Sequence, residues 1–246
     1  MVNSMNLIRV KDYNEMIERA GEYMKLQVRE KKDSVLGLAT GRTMVGVYER
    51  LIEHYKNKDI SFRDVITFNL DEYYPITREN PSSYYQYMME HLFRHTDINT
   101  ENIHIPDGST TDPLEECKSY DKKIEAVGGI DLQLLGIGRN GHIGFNEPKP
   151  VLELNTHLTD LDETTIEDNA SAFSSREAMP QQAITLGIKK IMEAKKIILL
   201  ANGREKSEAL RKMTRKEVDP RWPASILQLH PDITTIADEE ACERLE

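Results

Sequence analysis

Short apolar runs alternate with amphipathic stretches along the whole chain. Residues 35–39, 65–70, 132–137, 197–201 and 233–237 form near-continuous apolar segments. Their length and character predict strands buried on both faces of a parallel sheet. Between them lie helical patterns. After Thr43, the residues Tyr48, Leu51, Ile52 and Tyr55 follow the i, i+3, i+4, i+7 rule of an amphipathic helix. Residues 84–93 and 114–127 predict two more helices, the second ended by Gly128-Gly129. This alternation implies an α/β fold with an open, mostly parallel, doubly wound, Rossmann-like sheet and helices on both faces. The first strand is expected near residue 35. No internal repeat, low-complexity tract or Gly/Ser linker divides the chain, so residues 1–246 read as one domain. The least regular stretch, 149–180, is bracketed by Pro148, Pro150 and Pro180 and reads as a flap or small β-excursion over the main sheet.

Three of the predicted strands run into loops that carry chemistry. The first is followed by Thr40-Gly41-Arg42-Thr43 and a helix. A Gly turn feeding a helix N-terminus presents free backbone N–H groups and the positive end of the helix dipole, which suits a phosphate. The same residues also suit a plain turn with threonine caps, and neither GxxxxGK[ST] nor GxGxxG is present. The second strand is followed by Asp71-Glu72-Tyr73-Tyr74. A carboxylate beside aromatics can serve as a general base in a partly desolvated site, or it can cap the next loop. The third strand is followed by Gly138-Arg139-Asn140-Gly141-His142-Ile143-Gly144-Phe145-Asn146-Glu147-Pro148. Its glycines let backbone approach a ligand, and its His142 and Glu147 pair a proton carrier with a carboxylate that orients it. Ligands of open parallel sheets bind outside the carboxyl ends of the strands. The three loops therefore share one rim, and together they describe a sugar-phosphate enzyme that moves protons without a cofactor.

Composition narrows the partners. The 246 residues hold 32 Lys and Arg against 42 Asp and Glu, a formal charge of −10. That balance argues against nucleic acid or an anionic membrane surface as the main partner, yet leaves room for a small anionic ligand in a local nest of donors. The longest apolar run, 197–201, is too short to cross a bilayer, and residues 1–10 carry no signal-peptide core. Cys117 and Cys242 are far apart with no CxxC spacing, so no disulfide framework is expected, and a cytoplasmic setting follows. His91 and His95 have zinc spacing, but Leu92 replaces the glutamate of HExxH and no third ligand is evident; no metal is expected. No GxSxG elbow is present. Tyr84, Tyr85 and Tyr87 read as packing, and the basic stretch 211–216 as a solvated helix face. A homo-oligomer is left open.

The stretch LGIGRNGHIGFNEP, ending at Pro148, resembles the signature loop of glucosamine-6-phosphate deaminases, also called glucosamine-6-phosphate isomerases. The likeness extends to LGLATGRT, to VITFNLDEYY, to the following Asn80-Pro81-Ser82-Ser83-Tyr84-Tyr85, and to PASILQLHP at 223–231. These blocks cover most of the chain. The resemblance implies conversion of glucosamine 6-phosphate and water to fructose 6-phosphate and ammonium, with neither metal nor redox cofactor. It implies Asp71 as the base that shuttles a proton between C2 and C1. It implies His142 as the ring-opening catalyst, supported by Glu147 and Asn140, and Thr40, Gly41, Thr43 and Lys206 as phosphate ligands.

Departures from the family pattern are specific. Position 140 is Asn where many members carry Asp, and Asn orients by hydrogen bonding without lending charge. The family's Asn-Ser/Ala-Arg-Phe-Phe is here Asn-Ala-Ser-Ala-Phe at 169–173, so its phosphate arginine is missing. Arg42, standing where a small residue is common, is the candidate substitute. Residues 153–157 lack the Ser-Arg-Thr-Arg-x-Lys pattern of members activated by an amino-sugar effector. Three alternatives accompany the main reading. They are a galactosamine-6-phosphate deaminase giving tagatose 6-phosphate, a 6-phosphogluconolactonase, and a non-catalytic sugar-phosphate sensor. The lactonases lack FNEP, and a sensor needs an appended helix-turn-helix, for which a first strand near residue 35 leaves no room.

Overall fold

The computed structural model describes residues 5–245. Seven strands form a sheet in which every neighbouring pair is parallel: β1 (Asn6–Val10), β2 (Val35–Leu38), β3 (Ile66–Asn69), β5 (Ile103–His104), β6 (Leu132–Gly136), β9 (Lys196–Ala201) and β10 (Ile233–Asp238). Their order is β1-β10-β9-β6-β2-β3-β5. The five apolar runs of the sequence are the five central strands. They are apolar because both of their faces are covered, and β2 and β10 are buried at every position.

Helices α1 (Tyr13–Glu30), α2 (Arg42–Lys56) and α3 (Tyr84–His91) connect strands as the chain moves toward β5. α4 (Pro113–Ala126), α6 (Ile188–Met192) and α7 (Ser207–Met213) connect them as it returns toward β1. Right-handed crossovers place these two sets on opposite faces. From β2 the chain proceeds to β3, whereas from β6 it proceeds to β9 on the other side. The loops after β2 and β6 therefore diverge, and a crevice opens between them at the carboxyl ends.

Two expectations need correction. The first strand is β1, not β2, and α1 precedes residue 35 as well. β1 escaped notice because it is an edge strand: Asn6 and Arg9 are exposed and interrupt its apolar run. β1 pairs with β10, and α1 buries Met16, Ala20, Met24 and Val28, so this segment is part of the sheet's own architecture and not an appended module.

Second, Asp71–Tyr74 is a strand, β4, where a loop was expected. With β8 (Gln182–Thr185) and β7 (His157–Asp160) it builds a separate three-stranded antiparallel sheet, order β4-β8-β7. Leu70 is the crossing point. Its N–H donates to Leu38 of the main sheet, and its carbonyl accepts from Leu186 at the end of β8. The irregular stretch 149–180 contains the strand β7 and the helix α5 (Glu163–Asn169). Tyr73, Phe145, Leu161, Ile166, Met179 and Ala183 form a small apolar cluster beneath the second sheet.

Candidate active site

A cavity of about 830 Å³ lies at the crevice between β2 and β6. The three loops singled out from the sequence all reach it: Thr40 to Thr43 after β2, Asp71 after β3, and Gly138, His142 and Gly144 after β6. The loop after β9 adds Asn202, Glu205 and Lys206, and α5 adds Thr165, Asp168 and Asn169.

The turn at Gly41 opens α2. Gly41 has φ 112°, a region that favours glycine, and no side chain caps the helix. Its first N–H groups therefore face the cavity with the positive end of the dipole behind them. Three tyrosines hold the turn. Tyr87 donates to the Gly41 carbonyl (2.8 Å), Tyr13 to the Thr43 carbonyl (3.2 Å), and buried Tyr48 to the Ala39 carbonyl. Tyr87 thus does more than pack, and Tyr84 itself lines the cavity. The Thr43 hydroxyl donates to Asn202 (2.7 Å), which fastens the β2 and β9 loops together. Gly203, at φ 88°, donates its N–H to both oxygens of Asp238, and the short turn that follows delivers Lys206 to the cavity wall.

Lys206 and Arg42 bring positive charge to this end. Burial lowers the Lys206 ammonium, Glu205 and Asp168 oppose that shift, and Arg42 and Arg139 lower it further. Among the described residues neither Arg42 nor Lys206 has a carboxylate within 4.0 Å. A bound dianion would offset both the desolvation and the mutual repulsion. Two further candidate arginines do not line the cavity: Arg176 pairs with Glu163, and Arg204 with Glu243 at 3.1 Å.

The same cavity is lined by the candidate proton-transfer groups His142 and Asp71. His142 Nδ1 stands 3.4 Å from Glu147 Oε2. Asn140 donates through Nδ2 to the same oxygen (3.1 Å) and accepts the His142 backbone N–H (3.2 Å). Asn140 therefore orients the pair by hydrogen bonds, as its amide can. Burial would raise the Glu147 carboxyl, but His142, Thr165 and Asn140 hold it below the usual carboxylate range. Gly138 gives the imidazole its seat. A Cβ at 138 would lie 2.3 Å from ring atoms of His142, so only glycine fits beneath the ring.

Asp71 is buried, and its carboxyl is pushed well up, first by burial and then by the charges of Glu72 and Glu147. Gly144, at φ 56°, sits against it; a Cβ there would stand 3.3 Å from Asp71 Oδ2. Glu72, next in the chain, has a different task. Its carboxylate accepts backbone N–H groups of Tyr73, Tyr84 and Tyr85, each at 2.9 Å, so it ties β4 to the start of α3. The structure thus separates the two adjacent carboxylates into one facing the cavity and one serving as a helix cap.

All nine residues expected from the sequence lie at the cavity or in direct contact with a residue that lines it. Asn140 and Glu147 are in the second group, reaching it through His142. Sequence reasoning missed Thr165, Asp168, Asn169, Asn202, Glu205 and the cavity role of Tyr84. His95 and His91 stand apart from this centre, the first meeting the Glu90 carbonyl and the second packing on Tyr87. Cys117 and Cys242 are free and buried, and no described helix is long and apolar enough to cross a membrane.

Comparison with known proteins agrees with this geometry. Residues 11–236 match the family model described as glucosamine-6-phosphate isomerases/6-phosphogluconolactonase. The glucosamine-6-phosphate deaminase of Clostridium novyi (strain NT) is 53% identical over 241 residues, 98% of this chain and 100% of that protein. That of Clostridium botulinum (strain Langeland) is also 53% identical, over 98% of this chain and 99% of its own. A solved monomeric glucosamine-6-phosphate deaminase superposes with a TM-score of 0.95 at 40% identity, covering 98% of this chain and 100% of that one. A 6-phosphogluconolactonase from Trypanosoma cruzi shares the fold at a TM-score of 0.79 and 22% identity, over 100% of this chain and 98% of that one. With the parallel sheet, the rim of three loops and these relatives in agreement, the chain belongs to the glucosamine-6-phosphate isomerase/6-phosphogluconolactonase family.

Proposed function

We propose that this protein is a glucosamine-6-phosphate deaminase, converting glucosamine 6-phosphate and water to fructose 6-phosphate and ammonium. One observation carries the reading: a single cavity is lined both by the proton-transfer groups Asp71 and His142 and by a helix N-terminus with two cations, Arg42 and Lys206. The substrate phosphate is held by Thr40, Gly41, Arg42, Thr43 and Lys206. His142, oriented by Glu147 and Asn140, moves the proton that opens the cyclic hemiacetal. Asp71 then takes the proton from C2 and returns it at C1, and hydrolysis of the resulting imine releases ammonium. Opening of the C1–O5 bond, transfer from C2 to C1, and addition of water to the imine with loss of the nitrogen each need proton transfers that side chains of this cavity can perform. We further read 149–180 as a flap over the site, the functional unit as one chain, as in the monomeric deaminase it resembles, and the setting as cytoplasmic, where two free thiols persist.

The relatives at 53% identity are deaminases, whereas the lactonase likeness rests on fold alone, which favours the deaminase over the lactonase. Ammonium release should be measured with glucosamine 6-phosphate and galactosamine 6-phosphate side by side. Faster release from the first is expected. Release only from the second would replace the substrate, and release from neither would sink the deaminase reading.

Arg42 supplies a second test. With the family arginine absent, the phosphate dianion depends on Lys206, the α2 N–H groups and the Arg42 guanidinium, which is the strongest of these partners. Arg42→Ala should raise KM by about 10- to 100-fold, equivalent to about 1.4 to 2.8 kcal/mol of lost binding. If that binding is the same in ground and transition states, kcat should change much less. A KM within about twofold of wild type would return Arg42 to the role of a surface residue.

A further inference from the structure

Thr165 contacts both members of the His142–Glu147 pair, from a segment that carries no part of the signature loop. It is the third residue of α5, in the first turn, and is completely buried. Threonine in a helix commonly turns its hydroxyl back to the carbonyl one turn earlier. Here the hydroxyl instead donates to Glu147 Oε1 at 2.6 Å, a charge-assisted bond, and stands 3.2 Å from His142 Nδ1. A hydroxyl has one proton and two lone pairs. With the proton committed to Glu147, Thr165 can only accept from the imidazole. Nδ1 must therefore carry the hydrogen, which Glu147 Oε2 also favours from 3.4 Å. In the neutral ring this leaves Nε2 as the lone-pair nitrogen, available to the cavity.

We propose that Thr165 is a positioning residue that fixes His142 in its Nδ1–H tautomer, so that Nε2 is the atom that exchanges protons with the substrate. The residues around α5 support this role. Arg139, the residue next to Gly138 beneath the ring, is a further tie: it pairs with Glu167 at 2.8 Å and Asp168 at 3.2 Å, the two residues that follow Ile166 on the same helix. Asp162 caps the helix start by accepting the Thr164 N–H. The signature loop is thus fastened to α5 just beyond Thr165, the Asp162 cap fixes the helix start, and the placement of α5 sets the hydroxyl against the imidazole. A purely packing role would be filled as well by valine, which has the same shape and lacks the donor and acceptor.

The proposal rests on the deaminase reading, and its test separates the two. Nitrogen-15 NMR of His142 in the wild-type protein at a pH where the ring is neutral should show Nδ1 protonated and Nε2 not. That result does not depend on the substrate. Thr165→Val should then lower kcat about 10- to 100-fold with KM within about threefold, and should shift the His142 spectrum toward a mixture of tautomers. Thr165→Ser, which keeps the hydroxyl, should stay within about threefold of wild-type kcat. An Nε2–H ring in the wild type overturns the proposal, as does a Thr165→Val enzyme with unchanged kcat, or a Thr165→Ser enzyme as impaired as the valine variant. Should Thr165→Val fail to fold, the wild-type spectrum and the serine variant decide the matter. Absence of ammonium release by the wild type removes the deaminase reading and leaves the spectroscopic result standing.

Discussion

Asp71→Asn is expected to lower kcat by about 10²- to 10⁴-fold, the usual contribution of a positioned general base, and at the same time to raise the thermal midpoint. The loss follows from chemistry, because an amide cannot take the C2 proton. Exchange of that proton with solvent, followed by deuterium incorporation, should stop. The gain follows from electrostatics. Burial, with help from Glu72 and Glu147, pushes the Asp71 carboxyl well above the usual carboxylate range. A carboxyl whose pKa rises on folding holds its proton more tightly in the fold than in the unfolded chain. Ionising conditions therefore disfavour the fold, and the cost grows as pH climbs from the unfolded value toward the folded one. Asparagine has the same shape and no charge, so the stability gap between variant and wild type should be larger at pH 8 than at pH 5. A variant that loses activity and also melts lower at both values would mean that Asp71 is a structural residue, and persistent C2 exchange would move the base elsewhere.

Such an opposition between stability and activity marks a functional group, and it explains which parts of the molecule were legible. The five central strands could be read because burial on two faces makes their runs mostly apolar, and polar residues within them such as Thr67 and Gln133 are buried too. β1 could not, because an edge strand keeps Asn6 and Arg9 toward solvent. β4 was missed for another reason. Its first two residues are carboxylates, which disfavour strands, and each is there for a task outside the sheet: Asp71 for the cavity, Glu72 to accept three N–H groups at the head of α3. Local propensity fails where function overrides it.

The site divides in the same way. Gly138, Asn140, His142 and Glu147 are contained within ten residues, so the loop displays its own chemistry. Thr165 is 18 residues from Glu147 and 23 from His142, and nothing in its neighbours signals that its hydroxyl turns away from the helix. Only the folding of 149–180 against the signature loop brings it there. Asn202 and Glu205 were hidden similarly, since their loop is positioned by Asp238 at the end of a different strand.

His142→Gln is expected to abolish turnover of the cyclic substrate, again by about 10²- to 10⁴-fold or more, while sparing binding. In the proposed mechanism ring opening precedes every later step, so no product should form once His142, its proton carrier, is gone. Glutamine is the informative replacement because its amide N–H can still donate to Glu147, which would otherwise be left buried with fewer partners. What it cannot do is gain and release a proton near neutral pH. KM should stay within about threefold, since in the proposed mechanism the phosphate is held by Arg42, Lys206 and the start of α2 and not by His142. The environment of Glu147 should change as well. Burial raises its carboxyl, and the hydrogen bond and charge of His142 are the first influences that hold it down. With the imidazole replaced by a neutral amide, the Glu147 carboxyl should titrate at higher pH than in the wild type, measurable by carbon-13 NMR of its side chain. A His142→Gln enzyme that opens the ring at the wild-type rate would assign ring opening to another group, and an unmoved Glu147 would show that the two side chains do not act as a pair.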